Sequence, residues 1–378
     1  MNKIILKIDK NKNLLVILFF FLFLILGVSI YKDYGLSWDE LYNHDNGIQA
    51  YNYLFENDDS LLTYNDNYYG SVFELVLVIL EKSLNIEDSR ELFFMRHLVT
   101  FLIFYISIIF FYFLGKLYFN DWKKGLLGCL FLILSPRIFA HSFYNSKDLV
   151  FLSMFIIAFY TMIRFLDNKS YKWLILHSLA SALLISTRIL GILIFFLTLV
   201  FFIGNKIFDK KILKKEQKKN VFKLILYLMF VLVLMIRFWP TLLVNPFQNL
   251  LGSFIKMSVH SHIVSELFLG KYLLSNNLPF YYLPVWIFIT TPVSYLVGFI
   301  FGFVALFKSF FNCSLESCFQ NNQNKFNILL FAWFSIPFFW IVVFKPVIYD
   351  AWRHLFFIYP ALLLISIKGF IFLFSYIK

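Results

Sequence analysis

The chain has 378 residues, of which 60% are hydrophobic, 22% aromatic and only 15% charged. Soluble domains have roughly 45–50% apolar and about 25% charged residues, so this composition excludes a soluble globular protein and predicts an all-α polytopic membrane protein. The net charge of +12 does not indicate a nucleic-acid partner, because the lysines concentrate in loops that we expect in the cytoplasm.

A helix needs roughly 20 apolar residues to cross a bilayer. By this measure the sequence predicts about ten transmembrane helices, near residues 14–31, 92–115, 125–143, 148–166, 172–187, 189–205, 221–243, 283–307, 328–344 and 354–375. The stretch STR at 186–188 indicates a tight turn between two short helices. The first apolar run has no clean small-residue cleavage site after it, which favours an uncleaved anchor over a signal peptide.

The loops differ in charge, and this difference predicts an orientation. Segment 33–91 carries thirteen acidic residues and two basic ones, whereas 204–220 carries seven lysines and two acids. Lysine and arginine favour cytoplasmic loops. We therefore expect 33–91 (with interfacial helices) and 244–282 to face outward, and 204–220 and both termini to face the cytoplasm. Residues 1–378 are expected to form a single transmembrane domain.

The three cysteines do not indicate a disulfide framework. Cys129 lies in a predicted span, and Cys313 and Cys318 share a loop that is predicted to be cytoplasmic. Thiols stay reduced in the cytoplasm, so we expect no disulfide, and two neighbouring cysteines alone do not predict a zinc site.

Acidic residues follow the first span directly, in the sequence SWDELYNHDNG. Asp39 and Asn43 share one face of a predicted helix, for which Ser37 is the expected N-cap. Glu40 and His44 share the adjacent face and could hold a divalent metal. Either Asp39 or Glu40 suits a general base at the membrane margin. The alternative is that these acids cap the helix and keep the loop soluble.

A second polar cluster, SPRIFAHSFYNSKD, lies between the third and fourth predicted spans, where Pro136 breaks the helix. Its polar side chains include Arg137, His141, Tyr144, Lys147 and Asp148. The two basic groups suit a phosphate, and the carboxylate can pair with them or ligate a metal. The histidine and tyrosine are candidate contacts for an acceptor, a sugar or a lipid. The alternative is an interfacial turn whose basic side chains meet lipid headgroups.

Three further groups of side chains are expected at the outward ends of the spans. Arg353 in KPVIYDAWRH is a candidate phosphate ligand and its neighbours Tyr349 and His354 are candidate substrate contacts, although Trp352 is also typical of an anchoring belt. Arg188 and Arg237 stand singly, so each needs a lipid phosphate or a structural carboxylate as partner. The remaining candidates are His260 and His262 for a metal or sugar, and Tyr281 and Tyr282 for a lipid chain or sugar ring.

Together these residues resemble the GT-C membrane glycosyltransferases of family 39, which include protein O-mannosyltransferases and the aminoarabinose transferases of lipid A. The resemblance lies in the pair Asp39–Glu40 after the first span, in Asp148 at the start of the fourth, and in the segments PFYYLP and YDAWRH. Asp148 is followed by Leu149, where family members often have proline, and no soluble C-terminal domain is evident. The acceptor therefore stays open.

The resemblance implies transfer of a sugar from a polyprenyl phosphate to a lipid, glycan or protein at the outer face of the cytoplasmic membrane, by inverting single displacement. Asp39 or Glu40 would accept the acceptor proton. The departing phosphate would be stabilised by some of Arg137, Lys147, Arg188, Arg237 and Arg353, and a divalent metal is the one candidate cofactor.

Two other functions remain as alternatives to the glycosyltransferase. A polysaccharide or lipid transporter would predict charges inside the spans and inverted repeats, and the sequence shows neither. A polymerase or ligase of surface polysaccharide would usually carry its large loop late in the chain, whereas the largest predicted outward loop here is the first.

Overall fold

The computed structural model describes residues 9, 11–208, 214–258 and 263–377. In chain order the regular elements are α1 (Lys12–Ile30), α2 (Glu40–Phe55), α3 (Ser60–Thr63), α4 (Val72–Ser83), α5 (Ser89–Phe119), α6 (Trp122–Ile133), α7 (Pro136–Tyr144), α8 (Asp148–Asn168), α9 (Tyr171–Thr187), α10 (Ile192–Phe208), α11 (Lys214–Phe238), α12 (Pro246–Ser258), β1 (Ser265–Phe268), β2 (Lys271–Leu274), α13 (Tyr282–Thr290), α14 (Val293–Phe311), α15 (Leu315–Gln320), α16 (Asn322–Phe344) and α17 (Tyr359–Ile377). Single 3₁₀ segments occupy Tyr31–Asp33, Ile189–Gly191, Pro240–Leu243 and Arg353–Ile358.

Within the described ranges, eight helices are long and apolar enough to cross a membrane: α1, α5, α8, α10, α11, α14, α16 and α17. The pair α6 and α7 passes the same test together but is bent by 72°, because Pro136 starts a new helix there. The helix α9 has 17 residues and ends at Thr187, so the predicted turn at STR is confirmed. The all-α polytopic class is therefore confirmed, and the predicted span at 172–187 is the shorter helix α9.

The prediction of one continuous helix over 283–307 is wrong. The structure divides this stretch into α13 and α14 at Thr291, whose backbone is extended with φ −100° and ψ 133°. The residue after it is Pro292, which has no amide hydrogen and disfavours helical geometry in the residue before it. The apolar composition of the stretch is continuous, so hydropathy alone did not reveal the break.

The centre of the bundle is formed by α8 and α17, most of whose side chains are buried. Close helix contact is visible between α14 and α17: a Cβ added at Gly302 would lie 1.9 Å from the carbonyl oxygen of Ile365. Small residues at such positions let the backbones of membrane helices approach each other. By contrast, α1 and α11 are peripheral, and few of their side chains are buried.

Cys313 and Cys318 form a disulfide, contrary to the expectation of free thiols. The short turn from the end of α14 into α15 brings their Cα atoms to 6.2 Å, within the usual range for a disulfide. Cys129 is free and buried in α6.

The strands β1 and β2 form an antiparallel hairpin in which Ser265 pairs with Leu274 and Phe268 with Lys271. The two residues between the strands, Leu269 and Gly270, have φ values of 48° and 77°. A two-residue turn with positive φ at both positions matches the right-handed twist of a hairpin, and glycine adopts this geometry without steric cost. The hairpin lies in the predicted loop 244–282 and contributes to the site described next.

Candidate active site

A cavity of about 450 Å³ lies where five parts of the chain meet. These are the first connecting segment (residues 31–88, between α1 and α5), the start of α8, the end of α9, the hairpin and the segment before α17. It is lined by Trp38, Asp39, Tyr42, Asn43, Asn46, Asp66, Tyr69, Lys147, Arg188, Val264, Glu266, Tyr349, Asp350 and Arg353. Three cations and four carboxylates therefore share one concave site, whose volume is typical of small-molecule binding.

The carboxylate of Asp148 holds two arginines at the cavity. It is buried at the first position of α8 and forms an ion pair with Arg188, the residue that follows α9. Its second oxygen accepts a hydrogen bond of 3.1 Å from Asn145 and lies 3.8 Å from Nε of Arg353. A buried carboxylate needs such partners to offset its desolvation. The predicted second acid is thus a partner of the cations, and it does not itself line the cavity.

Lys147 differs from the two arginines of the cavity. Within the described residues its ammonium is in no ion pair, and it lies 3.5 Å from the centre of the Tyr69 ring. Burial, together with repulsion from Arg188, lowers the pKa of Lys147 to about 8. Because no carboxylate forms an ion pair with this amine in the described residues, its charge is free to pair with an anion that enters the cavity.

The adjacent acids Asp39 and Glu40 point to different environments. Asp39 lines the cavity, where it pairs with Arg353, and 37% of its side chain is exposed. Glu40 is only 2% exposed and accepts hydrogen bonds from the Ser37 amide at 2.7 Å and from His97 of α5 at 2.8 Å. Glu40 therefore anchors α2 on α5, and Asp39 is the acid that can meet a substrate.

The predicted N-cap at Ser37 is wrong. The helix α2 starts at Glu40 with Asp39 in the N-cap position, and no side chain caps it. The backbone amide of Ser37 instead donates to the Glu40 carboxylate. This bond satisfies an amide next to the start of the helix without a side-chain cap at Ser37.

The first connecting segment is fastened to the bundle by buried polar bonds. Glu74 of α4 pairs with Arg96 of α5 and accepts a hydrogen bond from Ser146, just before α8. Asn43 of α2 reaches the same serine at 3.4 Å. These contacts hold α2 and α4 against the start of α8, which fixes the positions of Asp39 and Lys147 relative to each other.

The predicted metal ligands do not converge in the described part of the chain. His44 pairs with Glu81 at 2.7 Å, whereas Glu40 pairs with His97, so the two face different partners. No three histidine, cysteine, aspartate or glutamate side chains among the described residues are arranged to hold a metal ion. His260 and His262 lie outside the described residues. A divalent metal stays a prediction from the sequence.

Two predicted phosphate ligands lie outside the cavity. Arg137 donates to the Asp350 carbonyl oxygen at 3.2 Å and to its carboxylate at 3.3 Å, so it supports the cavity wall from behind. Arg237 is exposed near the end of α11 and does not line the cavity.

Of the predicted substrate contacts, one lines the cavity and the others do not. Tyr349 lines the cavity and packs edge-on against His354, with ring centres 4.7 Å apart. Tyr282 donates a hydrogen bond of 3.1 Å to Glu266, and the exposed Tyr281 packs on Phe268. The remaining two, on α7, are away from the cavity lining: His141 is hydrogen-bonded to Asn145 at 3.1 Å and packs against Tyr144.

Several lining residues were missed by the sequence interpretation, notably Trp38, Tyr42, Asp66, Tyr69 and Glu266. Glu266 did carry a signal, because it is the single acidic residue in the predicted outward loop 244–282. The others lie in a segment rich in tyrosine, aspartate and asparagine, where composition does not distinguish one position from the next. Tertiary contacts determine which residues of this segment line the cavity.

The fold defines a multi-pass membrane protein with a polar cavity at the ends of its helices. Residues 80–242 match the family described as dolichyl-phosphate-mannose-protein mannosyltransferase, which confirms the resemblance over that range. The matched range is less than half of the chain and contains Lys147, Asp148 and Arg188, but not Asp39 or Arg353. No curated protein and no solved structure matches the chain.

Proposed function

We propose that the protein transfers a sugar from a polyprenyl-phosphate-linked donor to an acceptor hydroxyl, at the outer face of the cytoplasmic membrane. The observation that carries this proposal is the placement of Asp39 in one cavity with Lys147, Arg188 and Arg353. A carboxylate beside several cations, at the ends of membrane helices, combines a proton acceptor with a phosphate site at the depth where a lipid-linked donor presents its headgroup.

The donor phosphate binds between Lys147 and the two arginines in this proposal. Arg188 is held in place by Asp148, and Arg353 by Asp39 and Asp350, so both guanidinium groups are fixed before the donor arrives. Fixed positive charge in a site that excludes water stabilises developing negative charge without the cost of reorganisation. The polyprenyl chain stays in the bilayer.

The reaction is a single displacement at C1 of the sugar. The acceptor oxygen forms a bond to C1 while its proton passes to the Asp39 carboxylate, and the bond from C1 to the phosphate oxygen breaks. The electron pair of that bond stays on the phosphate, so polyprenyl phosphate leaves with one more negative charge. The cations stabilise this charge, and no protonating acid is needed. Attack opposite the leaving group inverts the anomeric configuration.

The acceptor is a lipid, glycan or protein in this proposal. Trp38 is 83% exposed and Tyr42 58% exposed, and both line the cavity on the side of Asp39. Their rings form an aromatic surface next to the proposed base. We therefore place the acceptor on this side of the cavity and the donor phosphate on the side of Lys147.

The test is a transfer assay with purified protein in lipid nanodiscs, several radiolabelled polyprenyl-phosphate sugars and a membrane extract as acceptor. Lys147→Ala is compared with Arg237→Ala, which removes a cation outside the cavity. We expect the wild-type protein to remove label from the donor and to form a product with inverted anomeric configuration. We expect kcat/KM to decrease by about 10²-fold in Lys147→Ala and to change little in Arg237→Ala. No turnover with any donor, or a retained anomer, would reject the proposal.

A further inference from the structure

A second cavity, of about 560 Å³, lies between the peripheral helix α1 and the long helix α5. It is lined by Asn13, Val16, Ile17, Phe20, Phe21, Leu24, Tyr105, Ile109, Tyr112, Phe113 and Lys116. Phe20 and Tyr112 are buried, and they pack edge-on with their ring centres 5.9 Å apart. The cavity is thus a groove with an aromatic floor and walls from two helices.

The groove has the depth of one bilayer leaflet. It extends from Asn13 to Leu24 along α1 and from Lys116 back to Tyr105 along α5. Twelve residues of helix, with eleven steps between them, rise roughly 16 Å, which is about half of a hydrocarbon core of about 30 Å. The polar residues Asn13 and Lys116 lie together at one end, and the rest of the lining is apolar or aromatic.

The polar end lies at the membrane surface opposite the active-site cavity. Trp122, six residues after Lys116, donates a hydrogen bond of 3.1 Å to Asp9, as expected for an interfacial tryptophan. The neighbouring acids already have partners: Asp9 pairs with Lys123 at 3.0 Å, and Asp121 pairs with Lys124 at 3.2 Å. Within the described residues, Lys116 has no carboxylate partner and lies 5.9 Å from the Tyr112 ring.

We infer that this groove binds one anionic glycerophospholipid, with an acyl chain between α1 and α5 and the phosphate headgroup at Lys116. The length of the groove selects a chain that spans one leaflet, and the lysine supplies the complementary charge for the headgroup. The bound lipid fills the gap between α1 and the bundle and so secures a helix that makes few other contacts. This inference does not depend on the proposed transferase activity.

The test measures lipid binding to delipidated protein by native mass spectrometry, with phosphatidylglycerol and phosphatidylcholine as probes. We expect one retained phosphatidylglycerol, weakened about fivefold in Lys116→Ala, because one lysine near an anionic headgroup contributes about 1 kcal/mol. Ile109→Trp fills the apolar part of the groove and should abolish retention. Lys124→Ala, at the same surface but outside the groove, should bind as the wild type does.

Two results would overturn the inference. One is equal binding of the two lipids with no effect of Lys116→Ala or Ile109→Trp. The other is displacement of phosphatidylglycerol by polyprenyl phosphate together with a higher donor KM in Ile109→Trp, which would assign the groove to the donor. Thermal unfolding of Ile109→Trp in detergent, with a midpoint near that of the wild type, controls for misfolding.

Discussion

The acids Asp39 and Glu40 are neighbours in the sequence but have different partners in the structure. Successive residues at the start of a helix point about 100° apart around its axis. The Asp39 carboxylate therefore faces the cavity, and the Glu40 carboxylate faces α5. The sequence predicted one of the two as the base, and spacing alone could not decide between them. His97, which engages Glu40, belongs to a helix whose position only the tertiary structure defines.

Deprotonation of Lys147 should limit the reaction at alkaline pH. A lysine with a lowered pKa is cationic below that pKa and neutral above it, so the charge proposed to bind phosphate is present below pH 8 and lost above it. We expect kcat/KM for the donor to fall as the pH rises through about 8. Lys147→Arg, which stays charged, should remove this decline, measured as the pH profile of kcat/KM. An identical decline in Lys147→Arg would assign it to another group.

Gly70 should not tolerate a side chain. A Cβ at this position would lie 1.9 Å from the Ser186 carbonyl oxygen, so the loop that carries Tyr69 would have to move away from the end of α9. We expect Gly70→Ala to lower the free energy of unfolding by about 1–3 kcal/mol and to reduce turnover. Thermal unfolding in detergent measures the loss of stability, and the transfer assay measures the turnover. Gly252→Ala is the control, because a Cβ there meets no atom within 4 Å.

At the scale of elements, the hairpin holds the segment that carries Arg353. Glu266 of β1 accepts a hydrogen bond of 3.0 Å from the Asp350 amide. Asp350 and Ala351 have φ values of 54° and 59°, a left-handed conformation that is unfavourable for non-glycine residues. Two consecutive residues of this kind need support from outside the segment, and Glu266 provides it. The sequence could not predict this contact, since 84 residues separate the two partners.

Glu266→Ala should therefore reduce catalysis more than stability. Loss of this exposed hydrogen bond costs little stability, but relaxation of the Asp350–Ala351 segment would misplace Arg353. We expect kcat to fall about tenfold, with a partial recovery in Glu266→Gln, which keeps one acceptor oxygen. Lys271→Ala, an exposed change on the same hairpin, should match the wild type. Equal kcat for Glu266→Ala and Lys271→Ala would show that Glu266 does not position Arg353.

At the scale of the whole molecule, much of the architecture follows from hydropathy. Apolar runs of about 20 residues predicted most spans, because every backbone polar group in a bilayer must be paired within a helix. The same criterion missed the break at Thr291–Pro292, where composition does not change. It also could not place the first connecting segment over the bundle. That placement depends on the ion pair of Glu74 with Arg96 and on other long-range bonds.

The charge asymmetry of the loops predicts an orientation that can be measured directly. In a chain whose three native cysteines are replaced by serine, the variant Asp58→Cys should react with an impermeant maleimide in intact cells. The variant Lys218→Cys should react only after the membrane is permeabilised, because basic loops favour the cytoplasm. The reverse labelling pattern would place the active-site cavity on the cytoplasmic side.

The central claim is that Asp39, and not its neighbour Glu40, is the catalytic base. The most direct measurement compares kcat of Asp39→Asn and Glu40→Gln in the transfer assay, with donor binding and thermal unfolding measured on the same samples. We predict a decrease of about 10²–10⁴-fold for Asp39→Asn with donor binding retained, since a positioned base contributes that factor. Glu40→Gln should lower the unfolding midpoint and keep most of the turnover. An active Asp39→Asn beside a folded, inactive Glu40→Gln would contradict the account.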